Sequence, residues 1–239
     1  METDPVQLSW VLPLYRTAEF LTELIQRIEV TTSSLGLEVT WEVVLVDDAC
    51  PAGSGAVADR IASADSRVVV EHIRSNVGQD SALRTGIRRA RGNWVVILDA
   101  DLQDPPEALS DLWRKRRGQR VVFADRRGRY TSRLRHLTSW VYRQLMRWLV
   151  GLPRGAGLYA LMDRRTASEI AATSHEPFAL LATFAALGGP MVSVTVQRQP
   201  RRQGRSAYTS RMRLAKGLRN LFHSFSKARK DRSLCPNPK

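Results

Sequence analysis

The chain has 239 residues, room for one or two domains with a sizeable core and more than a small scaffold stapled by disulfides or metal needs. Hydrophobic residues at 43% and charged residues at 25% match an ordinary soluble domain and exclude a wholly disordered or fibrous chain. Thirty-seven Lys and Arg against 23 Asp and Glu leave +14, a balance that points to an anionic partner such as nucleic acid, a lipid surface or a phosphorylated substrate.

The first 125 residues alternate short β-branched runs with helical patterns, the signature of βαβ units around a mostly parallel sheet. Strands are predicted at Leu8 to Leu12, Glu42 to Val46, Arg67 to His72, Trp94 to Leu98 and Arg120 to Ala124. Helices are predicted near 18–32, 54–64, 79–91 and 106–117. After Arg126 the chain becomes Arg-rich with large apolar residues. Leu134, Leu137, Val141, Leu145, Trp148 and Leu149 recur at helical spacing, and a second basic amphipathic helix is predicted over about 208–226. Such helices either pack on a core or lie in a membrane interface with cations toward anionic headgroups. Phe178 to Val196 runs without a charge, but Gly188-Gly189-Pro190 interrupts it, so a buried helix, a turn and a strand are expected rather than a membrane span.

The charge is concentrated. Residues 201–239 hold twelve Lys or Arg and only Asp231 as an acid, a net +11 of the +14. The expected division is therefore a nearly neutral domain over 1–200 and a basic amphipathic extension over 201–239. Cys50 and Cys235 match no metal spacing and read as free thiols in a reducing compartment. Met1 to Gln7 carries no basic n-region or apolar run, so secretion is not expected. His72, His136, His175 and His223 show no metal or triad spacing, and Trp10, Trp41 and Trp94 flank strands where packing suffices.

Chemistry concentrates at the predicted strand exits. Asp99-Ala100-Asp101-Leu102-Gln103-Asp104-Pro105-Pro106-Glu107 follows the Trp94 to Leu98 strand, where ligands bind in an open α/β sheet. Two carboxylates one residue apart, then an amide oxygen, offer ligands to a hard cation such as Mg²⁺ or Mn²⁺ bridging a diphosphate. An Asp-x-Asp triplet alone is weak; its place after a buried strand gives it weight. Asp47 and Asp48 leave the second strand the same way and can accept hydrogen bonds from a base or ribose. Ser75-Asn76-Val77-Gly78-Gln79 reads as a turn opening a helix.

These segments together resemble the family 2 glycosyltransferases of GT-A fold, in particular the polyprenyl-phosphate glycosyltransferases related to dolichol-phosphate mannose synthase. The likeness runs through Val11-Leu12-Pro13-Leu14-Tyr15, Glu42 to Asp48, Asn76-Val77-Gly78 with Ala82 and Gly86, Ala90-Arg91-Gly92, and Asp99 to Glu107. It continues more weakly through Arg126, Arg135 with Ser139, Gly157 and Gly204 to Tyr208. The resemblance implies an α/β GT-A (nucleotide-diphospho-sugar transferase) fold with a mostly parallel sheet, flanking helices and the basic C-terminal helices. It implies that Pro13, Tyr15 and Asp47, with Asp48, border the nucleotide, while Asp99, Asp101 and Gln103 hold Mg²⁺ or Mn²⁺ and with it the sugar-nucleotide diphosphate. Arg126, Arg135, Ser139 and Arg201 stand at phosphate-binding positions, where guanidinium groups hold anions bidentately.

Three departures from the family pattern stand out, the first on the nucleotide side and the other two on the acceptor side. The family's Tyr-Asn-Glu is Tyr15-Arg16-Thr17, its Asp-x-Gly-x-Phe-Arg is Gly155-Ala156-Gly157-Leu158-Tyr159-Ala160, and its Ser-Lys-Tyr is Ser206-Ala207-Tyr208. The expectation is a metal-dependent, hexosyltransferase-like enzyme that inverts the sugar while passing it from a nucleotide-diphosphate donor to a polyprenyl phosphate. The chain ends without the transmembrane pair many relatives carry. It is therefore expected in the cytoplasm, peripheral at the membrane face through its basic helices or a membrane partner subunit. The alternatives are transfer to a soluble acceptor in polysaccharide or natural-product assembly, and a non-catalytic role as a degenerate partner subunit or basic binding module. No specific nucleic-acid motif is present.

Overall fold

The computed structural model describes residues 6–36, 39–127, 151–174, 176 and 178–198. Strand β1 (Leu8–Leu14) leads through a 3₁₀ turn into α1 (Leu21–Ser33), followed by β2 (Trp41–Asp47), α2 (Ser54–Ala64), β3 (Val68–His72), α3 (Gln79–Arg89) and β4 (Trp94–Ile97). A second 3₁₀ turn at Pro106–Ala108 opens α4 (Leu109–Lys115), and β5 (Val121–Arg127) follows. Past the undescribed 128–150 come β6 (Ala160–Asp163), α5 (Arg164–Ala171), α6 (Leu180–Leu187) and β7 (Met191–Gln197).

The seven strands form one sheet in the order β3-β2-β1-β4-β6-β5-β7. β6 runs antiparallel between β4 and β5; every other pairing is parallel. Consequently the C-terminal ends of β1, β2, β4 and β5 emerge along one edge, and the loops that follow them share one surface. Parallel strands covered on both faces must be apolar on both, and alternation divides their side chains between two cores. Trp10, Leu12, Leu45, Val96, Leu98 and Val122 pack under α1 and α4. Val11, Val44, Val46, Ile97 and Phe123 pack under α3, α5 and α6.

Two of the sequence segments quoted above turn out to hold the far end of the sheet together. Glu42, 2% exposed, accepts from Ser9 Oγ at 2.7 Å, Arg91 N at 2.7 Å and Arg91 Nε at 2.9 Å, while Gly92 N donates to Ser9 Oγ at 2.7 Å. A Cβ on Gly92 would sit 2.6 Å from the Ser9 backbone nitrogen, so only glycine lets the chain close this lock.

The strands predicted before residue 125 are present with ends shifted by at most three residues. Helix, turn and strand follow Phe178 as expected, and no described helix is long and apolar enough to cross a membrane. The antiparallel β6 and the α5 after it were not expected. Ala160–Asp163 offers only four residues to a pattern reading, and its strand character comes from pairing on both sides. The helices predicted over 134–150 and 208–226, the extension over 201–239, and Cys235 lie outside the described residues.

Candidate active site

Three loops leave the sheet at its C-terminal edge, after β1, β2 and β4. Each contains a non-glycine residue with positive φ: Arg16 (57°), Ala49 (49°) and Leu102 (55°). These are the described non-glycine residues in that region, and each costs backbone energy that the surrounding structure must hold in place. Strain gathers where the sequence placed its motifs.

The β4 exit carries the densest charge. Asp99 Oδ2 lies 3.6 Å from an Arg126 guanidinium nitrogen, and its Oδ1 accepts from Gln79 Nε2 at the start of α3. Asp101 accepts from Gln103, from the backbone N at 3.2 Å and from Nε2 at 2.6 Å. Asp104 is wholly buried, 2.9 Å from Arg126 and 3.2 Å from Arg198 Nε. These two contacts are charge pairs without hydrogen-bond alignment, since neither Asp104 oxygen has a well-directed donor. Below them the buried Tyr159 hydroxyl donates to the carbonyls of Pro105 and Pro106 at 3.2 and 3.1 Å, fixing the loop's exit.

The electrostatics follow from crowding. Burial pushes the Asp99 carboxyl up to about 6; Arg126 opposes this, and Asp104 and Asp101 add to it. Asp104 is likewise raised, by burial first, with Arg126 and Arg198 pulling the other way. Three carboxylates thus share a pocket whose described arginines only partly neutralise them, and that is a site with capacity for another cation. Among the described residues no three His, Cys, Asp or Glu side chains close a metal cage. Mg²⁺ and Mn²⁺ do not need one: a hard octahedral ion takes one or two carboxylates and completes its shell with water and substrate phosphate. The donor set at the β4 exit, carboxylates and an amide, fits that mode.

Across β1 and β2 the second cluster forms. Pro13 and Tyr15 end β1, Tyr15 being 37% exposed with the Arg16 guanidinium 5.7 Å from its ring. Asp47 stands beside them in register with Leu14, accepting from Cys50 N at 3.1 Å. Asp48, expected at the nucleotide, is 3% exposed and spends its oxygens on the backbone N–H groups of Val77 (2.7 Å) and Gly78 (3.0 Å). It therefore fixes the turn into α3 and, through that helix, Gln79 beside Asp99. On the far side of β4, Asp125 lies near the end of β5, and a Cβ on Gly155 would fall 2.1 Å from its Oδ1.

Asp99, Asp101, Gln103 and Arg126 are thus brought together, with Pro13, Tyr15 and Asp47 along the same edge. Arg135, Ser139 and Arg201 lie outside the described residues. Sequence reasoning did not assign to the site Asp104 and Arg198, whose pairing depends on β7 returning beside β5, or His72, which touches Asp47. The last was traceable: parallel register sets His72 directly opposite Asp47.

Residues 9–168 match the family model for glycosyl transferase family 2. The chain belongs to that family. This family 2 transferase is 29% identical over 208 residues to an uncharacterised glycosyltransferase of Synechocystis sp., covering 85% of this chain and 64% of the relative. It is 33% identical over 160 residues to an undecaprenyl-phosphate 4-deoxy-4-formamido-L-arabinose transferase of Salmonella choleraesuis, covering 66% of this chain and 48% of that protein. The chain therefore spans between about half and two thirds of the length of these curated relatives. Among solved structures it resembles a mannosyltransferase of Pyrobaculum calidifontis in complex with GDP-Man and Mn²⁺, with a TM-score of 0.63 at 22% identity, covering 99% of this chain and 67% of that one. That likeness establishes the GT-A fold, and the protein that shares it binds Mn²⁺.

Proposed function

We propose that this family 2 transferase moves a sugar from a nucleotide-diphosphate donor to a polyprenyl phosphate, inverting the anomeric carbon. The observation that carries the reading is the loop after β4, where Asp99, Asp101 and Gln103 present oxygen ligands beside Arg126 at the sheet edge that also bears Pro13, Tyr15 and Asp47. The similarity to an undecaprenyl-phosphate transferase supports the acceptor class.

In this reading Pro13, Tyr15 and Asp47 receive the base and ribose, and Asp99, Asp101 and Gln103 hold Mg²⁺ or Mn²⁺, which when bound neutralises the donor's diphosphate. Asp48 acts from behind, by fixing the turn that presents Gln79. The nucleotide lies over β1 and β2, so the acceptor approaches from the β5 side. There Arg126 is already oriented by Asp104 and offers a guanidinium to phosphate oxygens. An acceptor phosphate has its second pKa near 6 and at neutral pH is mostly a dianion, so its oxygen attacks without a strong base. The bond from the anomeric carbon to the diphosphate oxygen breaks, and its electron pair leaves with the nucleoside diphosphate. Arg135, Ser139 and Arg201 would add phosphate contacts, and the extension over 201–239, with its net +11, would draw the domain onto an anionic membrane surface.

The test is Asp101→Ala in a radiolabelled-sugar assay with undecaprenyl phosphate and Mn²⁺, with product followed into organic solvent. Transfer should fall by about 100-fold or more, the scale for removing a group aimed at developing charge. Turnover equal to that of the unaltered chain would sink the assignment.

A further inference from the structure

His72 stands at the end of β3, directly opposite Asp47 in the parallel register. Its Nδ1 is 3.2 Å from Asp47 Oδ2, and its Nε2 is 2.9 Å from Asp59 Oδ1 on α2. The other Asp47 oxygen accepts from Cys50 N at 3.1 Å. The first turn of α2 closes the arrangement from behind: a Cβ on Gly55 would come within 2.3 Å of Asp47 Oδ2 and 3.2 Å of His72 Cε1. Asp47 is thus clamped between a loop amide and an imidazole, with 13% of its side chain exposed.

We propose that His72 is a positioning residue for the nucleotide pocket: as a cation braced by Asp59 it holds Asp47 in the orientation the donor's nucleoside requires, and nucleotide binding weakens when the imidazole loses its proton. The inference rests on the assignment of Asp47 to the nucleotide made above. Its basis is a count of hydrogens. A neutral imidazole has one N–H and one bare nitrogen, yet this ring faces a carboxylate on each side. In either neutral tautomer one nitrogen lone pair opposes a carboxylate, and if that carboxylate is Asp47 the clamp opens. The cation donates to both at once.

The charged groups that bear on the ring are Asp59 from α2 and Asp47 from β2; Glu71, next to it on β3, pairs instead with Arg89 at 3.1 Å. Both carboxylates favour the cation, Asp59 most, and the ring's affinity for its proton is raised accordingly. His72 is 49% exposed and Asp59 56%, so water and salt screen the pair and the effect is small in scale.

The experiment is calorimetric titration of the full chain with UDP and with GDP in the presence of Mg²⁺ from pH 6.5 to 8.5, comparing the unaltered protein, His72→Gln and Asp59→Asn. The unaltered protein should lose about two- to fivefold in affinity across the range beyond the loss seen in His72→Gln, the scale of a screened ion pair. Taking His72→Gln as the reference removes the titration of the nucleotide's own phosphate. Asp59→Asn, a change on an exposed helix face, offers an amide N–H to a bare Nε2, so the neutral ring can keep its Nδ1–H on Asp47; this variant should lose most of the pH dependence, which a residue that merely filled space would not do. Parallel profiles for all three proteins, with nucleotide binding intact, overturn this inference alone. Failure of the unaltered protein to bind either nucleotide overturns the assignment of Asp47 and this inference with it.

Discussion

Asp104 is a buried carboxylate between two arginines, and its replacement by Asn separates two accounts of what such a group does. The familiar expectation is that removing one member of a buried ion pair costs about 3 to 5 kcal/mol, because the partners are left uncompensated. For a chain of this size each kcal/mol lowers Tm by about 2 to 4 °C, so that account places Asp104→Asn at least about 6 °C below the parent. The structure argues for much less. Arg126 and Arg198 keep 21% and 33% of their side chains exposed, and neither Asp104 oxygen has an aligned donor to lose. Burial outweighs both arginines and raises the carboxyl. A carboxyl raised on folding contributes stability below its unfolded value of about 3.9, and that contribution is lost as pH rises through the folded value. Asparagine has the same shape and no charge, so its cost should be no more than about 1 kcal/mol near pH 5 and should shrink toward pH 8. Thermal melts across that range decide the matter: a penalty that grows with pH, or exceeds about 3 kcal/mol at pH 7.5, refutes the reasoning. The loss belongs in function instead. With Asp104 uncharged, Arg126 is no longer held between it and Asp99, and sugar transfer should fall about tenfold, the scale for outer groups that orient a charged site.

Gly155→Ala meets two obstacles together, a φ of +79° and an Asp125 oxygen 2.1 Å from the new Cβ, and should cost about 2 to 3 kcal/mol in denaturant melts; a melt superimposable on the parent's would mean that the close approach does not exist. Asp48→Ala removes the acceptor for two amides in a site that is 3% exposed. It should destabilise by about 2 to 3 kcal/mol and speed hydrogen exchange at Val77 and Gly78 selectively, whereas unchanged protection there would return Asp48 to a direct role at the nucleotide.

What the sequence could and could not carry follows from the range of each interaction. The parallel core was legible because a strand covered on both faces leaves a continuous apolar run, as at Val43–Val46, and because the acids ending such runs have no reason to be buried with them. That logic located Asp47 and Asp99 and placed Asp101 and Gln103 after them. It did not separate Asp48 from Asp47, since two adjacent acids look alike in sequence, while Asp48 spends its oxygens on the turn before α3. Asp104 lies inside a motif but does not read as a site, because its partners come from β5 and from Arg198 after β7, strands that pair directly with each other on the far side of β6. His72 read as unremarkable for the same reason, although strand order and register alone set it opposite Asp47. Motifs therefore mark the groups at the strand exits, while the groups that hold those in place are written in the pairing of strands. This explains why the three substitutions that best distinguish positioning from contact, at His72, Asp104 and Asp48, fall on residues whose partners are 13 or more positions away.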